Sequence, residues 1–477
     1  MGKGGKQQQE ASLSKRVALN PKTSASFPAA KNLASSLPDK LLSSRNNSNG
    51  HISPAAEASS HHSLPPSSTL TLGGSSLHQT PNTYWTTLKK RGVLLKNSRK
   101  NAGSAESSIR KSIRSWLLKS VRSETPALVR FQQHYSSGFN DWVFTYIGIF
   151  GTHEAYLTLL PMLFFADADD GSEYNRHHFG RGLLMVLAAG VYITGLVKDY
   201  LCLPRPPSPP LIRMSTSSTT HLEYGFPSTH SANAVSVSLY CISYLAFYIW
   251  PSLEWTLTQW ILQIGLASLL VLYGITVPIS RIYTGMHSMT DVVGGTIVGA
   301  LITVGYMIGL EPFERWLNGG VEVPVILFII SILSLWIYPD PHDACPCYDD
   351  SVCFASVVCG FLTGNWAVRA LGHSYMALSN DEALAAISWS EWSRIAGLRM
   401  LVGVIAAIIW KIVSKPVFKA VYKTCGVPHE RPHSPNGQFK LPKYTTDTFA
   451  RFCSYFGVGY CVSLAMPLVF KTVGLVH

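Results

Sequence analysis

The chain is 477 residues long, 47% hydrophobic and only 14% charged, which excludes an ordinary soluble enzyme and points to a membrane protein with room for more than one domain. Its formal charge of +12 is unevenly spread: residues 1–130 hold 20 Lys/Arg against 5 Asp/Glu, and the other 347 residues hold 19 against 22. With the positive excess confined to one end, no nucleic-acid partner is expected, and nine dispersed cysteines exclude a disulfide scaffold.

Residues 1–105 are rich in Ser, Asn, Pro and Gly without sustained periodicity, so they are read as a disordered tail. From Ser108 to Arg122, Ile109, Ile113, Trp116, Leu117 and Val121 recur at helical spacing among Arg110, Lys111, Arg114, Lys119 and Arg122. This predicts a basic amphipathic helix, lying either on a membrane surface or against the rest of the protein. The first ten residues lack an apolar stretch, so insertion is expected to rely on internal segments.

A spanning helix needs about 20 mostly apolar residues. Candidates lie near 142–166, 181–200, 229–250, 259–279, 292–310, 322–338, 351–371, 395–413 and 452–470. The sixth is short, and the eighth is flanked by Arg394, Arg399 and Lys411, so the fold class is an all-α polytopic membrane helix bundle of eight or nine spans. The organisation expected is a tail ending in an amphipathic helix (1–130), a membrane catalytic core (131–315) and C-terminal transmembrane helices (316–477).

The second span ends at Lys198, the third begins at Pro227 and the fourth ends at Ser280, so these points fall on one membrane face. The tail shares that face if 142–166 crosses once. Asp167, Asp169, Asp170 and Glu173 fall on the other face and are read as a solvated loop. Charged groups at a bilayer are costly, and a group of them marks a substrate path or reaction centre. Lys198, Arg205 and Arg281 can clamp the oxygens of a phosphate monoester, the arginines through their planar forks. Ser228 offers a hydroxyl, and the amides of Ser228, Thr229 and His230 stand at a helix N-terminus, where anions are favoured.

His287 has Asp291 four residues on, one helical turn away, so the carboxylate can hold one ring nitrogen protonated while the other attacks phosphorus. His230 is then placed to protonate the departing alkoxide and to activate the water that hydrolyses the phosphohistidine. The three cations take over the neutralisation that metal ions provide elsewhere, so neither metal nor other cofactor is expected. Asp199 and Glu223 are read as ion-pair partners of these cations. Each motif alone has a structural reading, as a snorkelling anchor, a helix cap or a packed His/Asp pair; their order and common face favour a site. Cys345-Pro346-Cys347 with Cys353 allows a bridge, though free thiols are the simpler reading.

Lys198-x6-Arg205-Pro206, Pro227-Ser-Thr-His230 and Ser280-Arg281-x5-His287-x3-Asp291 resemble the three signature motifs of the type 2 phosphatidic acid phosphatase superfamily over residues 181–300. The resemblance implies metal-independent dephosphorylation, with His287 as nucleophile, Asp291 as its partner and His230 as general acid. Thr229 stands where the general pattern has Gly. With Tyr-Thr-Gly-Met-His-Ser around His287 and further spans after the core, it is similar to the sphingosine-1-phosphate and long-chain-base phosphate phosphatases. That subgroup implies a sphingoid base phosphate as substrate, a multi-pass endoplasmic reticulum membrane protein and a site facing the lumen. Positive-inside asymmetry favours a cytoplasmic tail instead, and the sequon Asn46-Asn47-Ser48 offers a reporter for the two orientations. A broader phosphatidate or isoprenoid phosphate phosphatase is the enzymatic alternative. An inactive lipid-binding scaffold is the alternative of another class.

Overall fold

Helices and no strand make up the regular structure of the described residues, which in the computed structural model are 108–166, 176–215, 222–250, 256–339, 345–371, 388–426 and 445–475. All lie in the unit Ser76–His477; the tail 1–105, the acidic cluster 167–173 and the sequon at Asn46 fall outside the described residues. α1 spans Ser108–Tyr135, α2 Gly138–Ile149 and α3 His153–Ala166. α4 covers Arg176–Leu201, α5 Thr229–Tyr244, α6 Leu257–Tyr283 and α7 Met289–Leu317. After them come α8 Glu322–Ile337, α9 Cys347–Ala370, α10 Trp389–Thr424, α11 Thr446–Tyr460 and α12 Met466–Val473. A π-helical stretch, Leu245–Ile249, prolongs α5, and another, Cys461–Ala465, joins α11 to α12.

Short hydroxyl side chains begin the helices where the pattern turns apolar. Ser228, Thr256, Ser288, Ser388 and Thr445 each accept a bond from the amide three residues on, satisfying a donor that the helix cannot. Among the described residues, seven segments are long and apolar enough to cross a membrane: Phe179–Leu201, Thr229–Ile249, Leu257–Tyr283, Met289–Leu317, Cys347–Ala370, Ser393–Thr424 and Thr446–Val473. α8 is apolar but only 16 residues long.

The expected first span, 142–166, is not one helix. It breaks at Phe150–Thr152 into α2 and α3. Tyr283 bonds Asp141 at the start of α2, Tyr273 donates to Phe150 O at the break (2.9 Å), and Phe164 near the end of α3 packs where a Cβ on Gly180 would stand. The pair thus follows α6 away from one face and ends beside the start of α4 at the other.

α4 and α9 are the most enclosed of the seven segments, while α6 leaves Leu262, Ile264, Leu269 and Leu272 exposed along its length. An apolar helix surface left bare in this way suits contact with lipid. One buried cluster joins Leu183 and Leu187 of α4, Tyr240 of α5, Phe361 of α9 and Val462 after α11, so the helices beyond residue 315 share a core with those before it. Small residues let backbones meet. A Cβ on Gly295 or Gly299 of α7 would collide with the carbonyls of Ser228 or Ala232 in α5, which fixes α5 tightly against α7. At the far end of α4, buried Arg181 clasps Glu314 of α7 through both carboxylate oxygens, one bond measuring 2.9 Å.

α1 runs past the boundary expected at residue 130 and packs on the core. Leu117, Val121 and Leu128 are buried, and Leu117 meets Leu201 and Leu203. Arg114 donates to the carbonyls of Leu201 (3.0 Å) and Cys202 (3.2 Å), closing the C-terminal end of α4. Ile109, Ile113 and Trp116 remain exposed on the other side of the helix.

Candidate active site

The three motifs converge where α4 and α6 end and α5 and α7 begin. Lys198, Arg205, Ser228, Arg281, His287 and Asp291 are all buried, and Thr229 and His230 are half-buried. Arg205 is the hub. Its Nη1 donates to Met286 O (3.0 Å) and to His287 Nε2 (3.0 Å), Nε donates to Glu223 O (3.1 Å), and Nη2 donates to Glu223 Oε2 (3.1 Å). Lys198 Nζ reaches the same Glu223 oxygen at 3.0 Å, so one carboxylate holds two cations as expected. Arg281 Nε is buried without an acceptor, leaving a cationic donor for an incoming oxyanion.

A guanidinium only donates, so His287 Nε2 accepts from Arg205 and Nδ1 carries the proton. Nδ1 faces Asp291 Oδ2 at 3.7 Å, outside hydrogen-bond range but close enough for charge to act. Asp291 Oδ2 instead accepts from Ser288 N at 2.8 Å, and Ser288 Oγ accepts from Asp291 N at 3.1 Å, a capping box that starts α7. Burial first, then Arg205, Lys198, Arg281 and His230, hold the His287 imidazole well below its ordinary pKa of 6.5. The ring is therefore neutral at neutral pH.

The loop carrying His287 is pinned on several sides. Arg281 O accepts from the amides of Met286 (3.1 Å) and His287 (3.2 Å), and Gln132 of α1 donates to Tyr283 O (2.9 Å) and Ile212 O (2.8 Å). Gly285 turns the chain at φ +65°, and a Cβ there would lie 2.7 Å from Ile212 O, so both conformation and space require glycine. Glu124 of α1 accepts from Thr290 N (3.0 Å) and also binds its hydroxyl. Gly151, at the break between α2 and α3, lies against the His230 ring, its absent Cβ 3.2 Å from Cδ2.

The Ser228 amide and Asp199 differ from expectation, and the Thr229 side chain has a partner that the sequence does not show. The Ser228 amide is engaged with Asp291 O (2.9 Å), because α5 and α7 meet backbone to backbone there; its hydroxyl oxygen accepts from Ser231 N (3.3 Å) and Ser231 Oγ (3.0 Å). The Thr229 hydroxyl bonds Thr194 Oγ1 of α4 at 2.9 Å, so this side chain ties two helices together. Asp199 pairs with none of the three cations; it is fully buried beside Cys345 and Tyr338, since consecutive residues of a helix point about 100° apart and Lys198 takes the site-facing direction. Glu124 and Gln132 are not evident as site residues from the sequence. Their signal was present as polar residues on the apolar stripe of Leu117, Val121 and Leu128.

Residues 179–313 match the PAP2 superfamily. A dihydrosphingosine 1-phosphate phosphatase of Schizosaccharomyces pombe is 30% identical over 80% of this chain and 95% of its own length. One of Saccharomyces cerevisiae is 31% identical over 63% of this chain and 69% of its own. The lipid phosphate phosphatase delta of Arabidopsis thaliana is 26% identical over 76% of this chain and 89% of its own.

Proposed function

The chain belongs to the PAP2 superfamily, and we propose that, as a phosphoric monoester hydrolase of that family, it cleaves sphingoid long-chain-base 1-phosphates to free base and phosphate. The observation that carries the substrate class is the 30% identity to a dihydrosphingosine 1-phosphate phosphatase across 95% of that protein. The contact that carries the chemistry is Arg205 Nη1 on His287 Nε2 at 3.0 Å, which aims a neutral imidazole lone pair at the point where the cations gather.

In the proposed reaction the phosphate oxygens displace Arg205 from Nε2 and are held by Arg205, Lys198 and Arg281, with the Ser228 hydroxyl as a further donor. Nε2 attacks phosphorus in line with the ester oxygen, forming the N–P bond as the P–O bond breaks. His230 gives its proton to the leaving alkoxide, and the resulting neutral imidazole then takes a proton from water as that water cleaves the phosphohistidine. Asp291 stabilises the charge that develops on the His287 ring, much as a buried carboxylate does beside a general-base histidine. No step uses a metal. Thr229 serves the site by fixing α5 to α4.

The subgroup resemblance supports an endoplasmic reticulum location with the site toward the lumen. A glycosylated Asn46 would agree with that orientation, since α1 packs on the site face and the tail leads directly into it. A broader lipid phosphatase is favoured by one observation, the similarity to the Arabidopsis thaliana lipid phosphate phosphatase.

Purified protein assayed without magnesium on a panel of lipid phosphates separates these readings. Turnover of long-chain-base phosphates well above that of phosphatidate is expected; equal turnover of phosphatidate, or dependence on added magnesium, overturns the proposal. An inactive scaffold is refuted by any turnover that His287→Ala abolishes.

A further inference from the structure

Beside the hydrolytic centre, and separate from it, lies a second set of reactive side chains. Asp199 on the last turn of α4 is fully buried, and neither of its oxygens meets a donor in hydrogen-bond geometry, although the Cys345 thiol and Tyr338 hydroxyl stand against it. Cys345 and Cys347 flank Pro346, the residue that starts α9, and both are buried. Their sulfurs lie 2.9 Å apart. A carboxylate oxygen of Asp199 and the two sulfurs all fall within 4.8 Å of one another.

A buried carboxylate without hydrogen bonds is costly unless a cation compensates it. The neighbouring Lys198 ammonium acts on it only through space, its Nζ being directed at Glu223, and gives it no hydrogen bond. We propose that Asp199, Cys345 and Cys347 hold a structural zinc ion. Two thiolates and one carboxylate form a donor set suited to zinc; magnesium and calcium prefer oxygen alone. The size fits as well. Zinc–sulfur bonds of about 2.3 Å in a tetrahedron put ligand atoms about 3.7 Å apart, so the sulfurs need only separate by roughly 0.8 Å. A water completes the coordination. Binding balances as one zinc ion, two thiols and one carboxylate giving a monoanionic complex and two released protons.

Such an ion fastens the end of α4 to the start of α9. It joins the helices after residue 315 to the catalytic core and fixes the backbone next to Lys198, whose ammonium serves the phosphate site. It takes no part in hydrolysis, and the proposal stands whichever lipid is the substrate.

The test is elemental analysis of the full chain purified in detergent without chelator. About one zinc per chain is expected in the native protein and in His287→Ala, which separates the ion from catalysis, with loss in Cys345→Ser/Cys347→Ser and Asp199→Asn. Because those variants are at risk of failing to fold, the native chain is also reconstituted with cobalt, where a thiolate-to-cobalt charge-transfer band is expected. A native chain that holds no zinc and shows no such band, or a mass two hydrogens lighter that maps to a Cys345–Cys347 disulfide, overturns the proposal.

Discussion

In the proposed mechanism Asp291 has two tasks, and Asp291→Asn separates them. Its Oδ2 accepts from Ser288 N at 2.8 Å, a bond that an asparagine carbonyl reproduces, so the cap of α7 survives. The lost element is the charge 3.7 Å from His287 Nδ1. At an effective dielectric of about 20, unit charges at that separation attract by about 4.5 kcal/mol. The imidazole bears its positive charge only as the N–P bond forms, so most of this interaction is realised in the transition state, where about 4 kcal/mol corresponds to roughly a thousandfold in rate. Asp291→Asn should therefore melt within about 1 kcal/mol of the native protein while kcat/KM for dihydrosphingosine 1-phosphate falls by about three orders of magnitude. Asp291→Ala should lose both cap and activity. Phosphate release in detergent micelles and thermal melting measure the two effects; an Asp291→Asn variant with kcat/KM within tenfold of the native value refutes an electrostatic role for this carboxylate.

Glu223 holds Lys198 and Arg205 through one oxygen and, in the proposed mechanism, competes with phosphate for both, so Glu223→Gln should lower kcat while strengthening inhibition by inorganic phosphate; weaker inhibition contradicts that role. The folded state keeps His287 neutral and the unfolded chain protonates it near 6.5, so its share of stability is complete above that pH and declines on acidification below it. Melting of the native protein should accordingly fall more steeply than that of His287→Asn between about pH 7 and about pH 5. Thr229→Ala removes the bond to Thr194 and should lower stability by about 1 kcal/mol while leaving the preference among lipid phosphates unchanged, as melting and the substrate panel will show.

The gathering of the candidate site was legible because its residues sit at the ends of apolar segments. Alternating crossings alone bring residues 198, 230 and 287 to one face. What the sequence concealed depends on contacts between distant elements. The sequence offers the Thr229 amide to an anion but says nothing of its side chain, which the helix turns to Thr194. Asp199 looked like a partner of Lys198, yet its direction on α4 sends it toward Cys345, just ahead of α9, five helices later. Hydropathy averaged over 142–166 gave no warning of the break at Gly151, which lies against His230. In α1, Glu124 and Gln132 brace the loop of His287 from far up the chain, and only the packing of that helix reveals it.

The central claim is a covalent phosphoryl bond to His287. Protein incubated with radiolabelled dihydrosphingosine 1-phosphate, quenched rapidly in alkali and digested should carry an acid-labile phosphate on the peptide containing His287. The label should vanish in His287→Ala and persist longer in His230→Ala, whose second step lacks its base. A native enzyme that releases labelled phosphate without ever carrying it, or that carries it on His230, contradicts the mechanism.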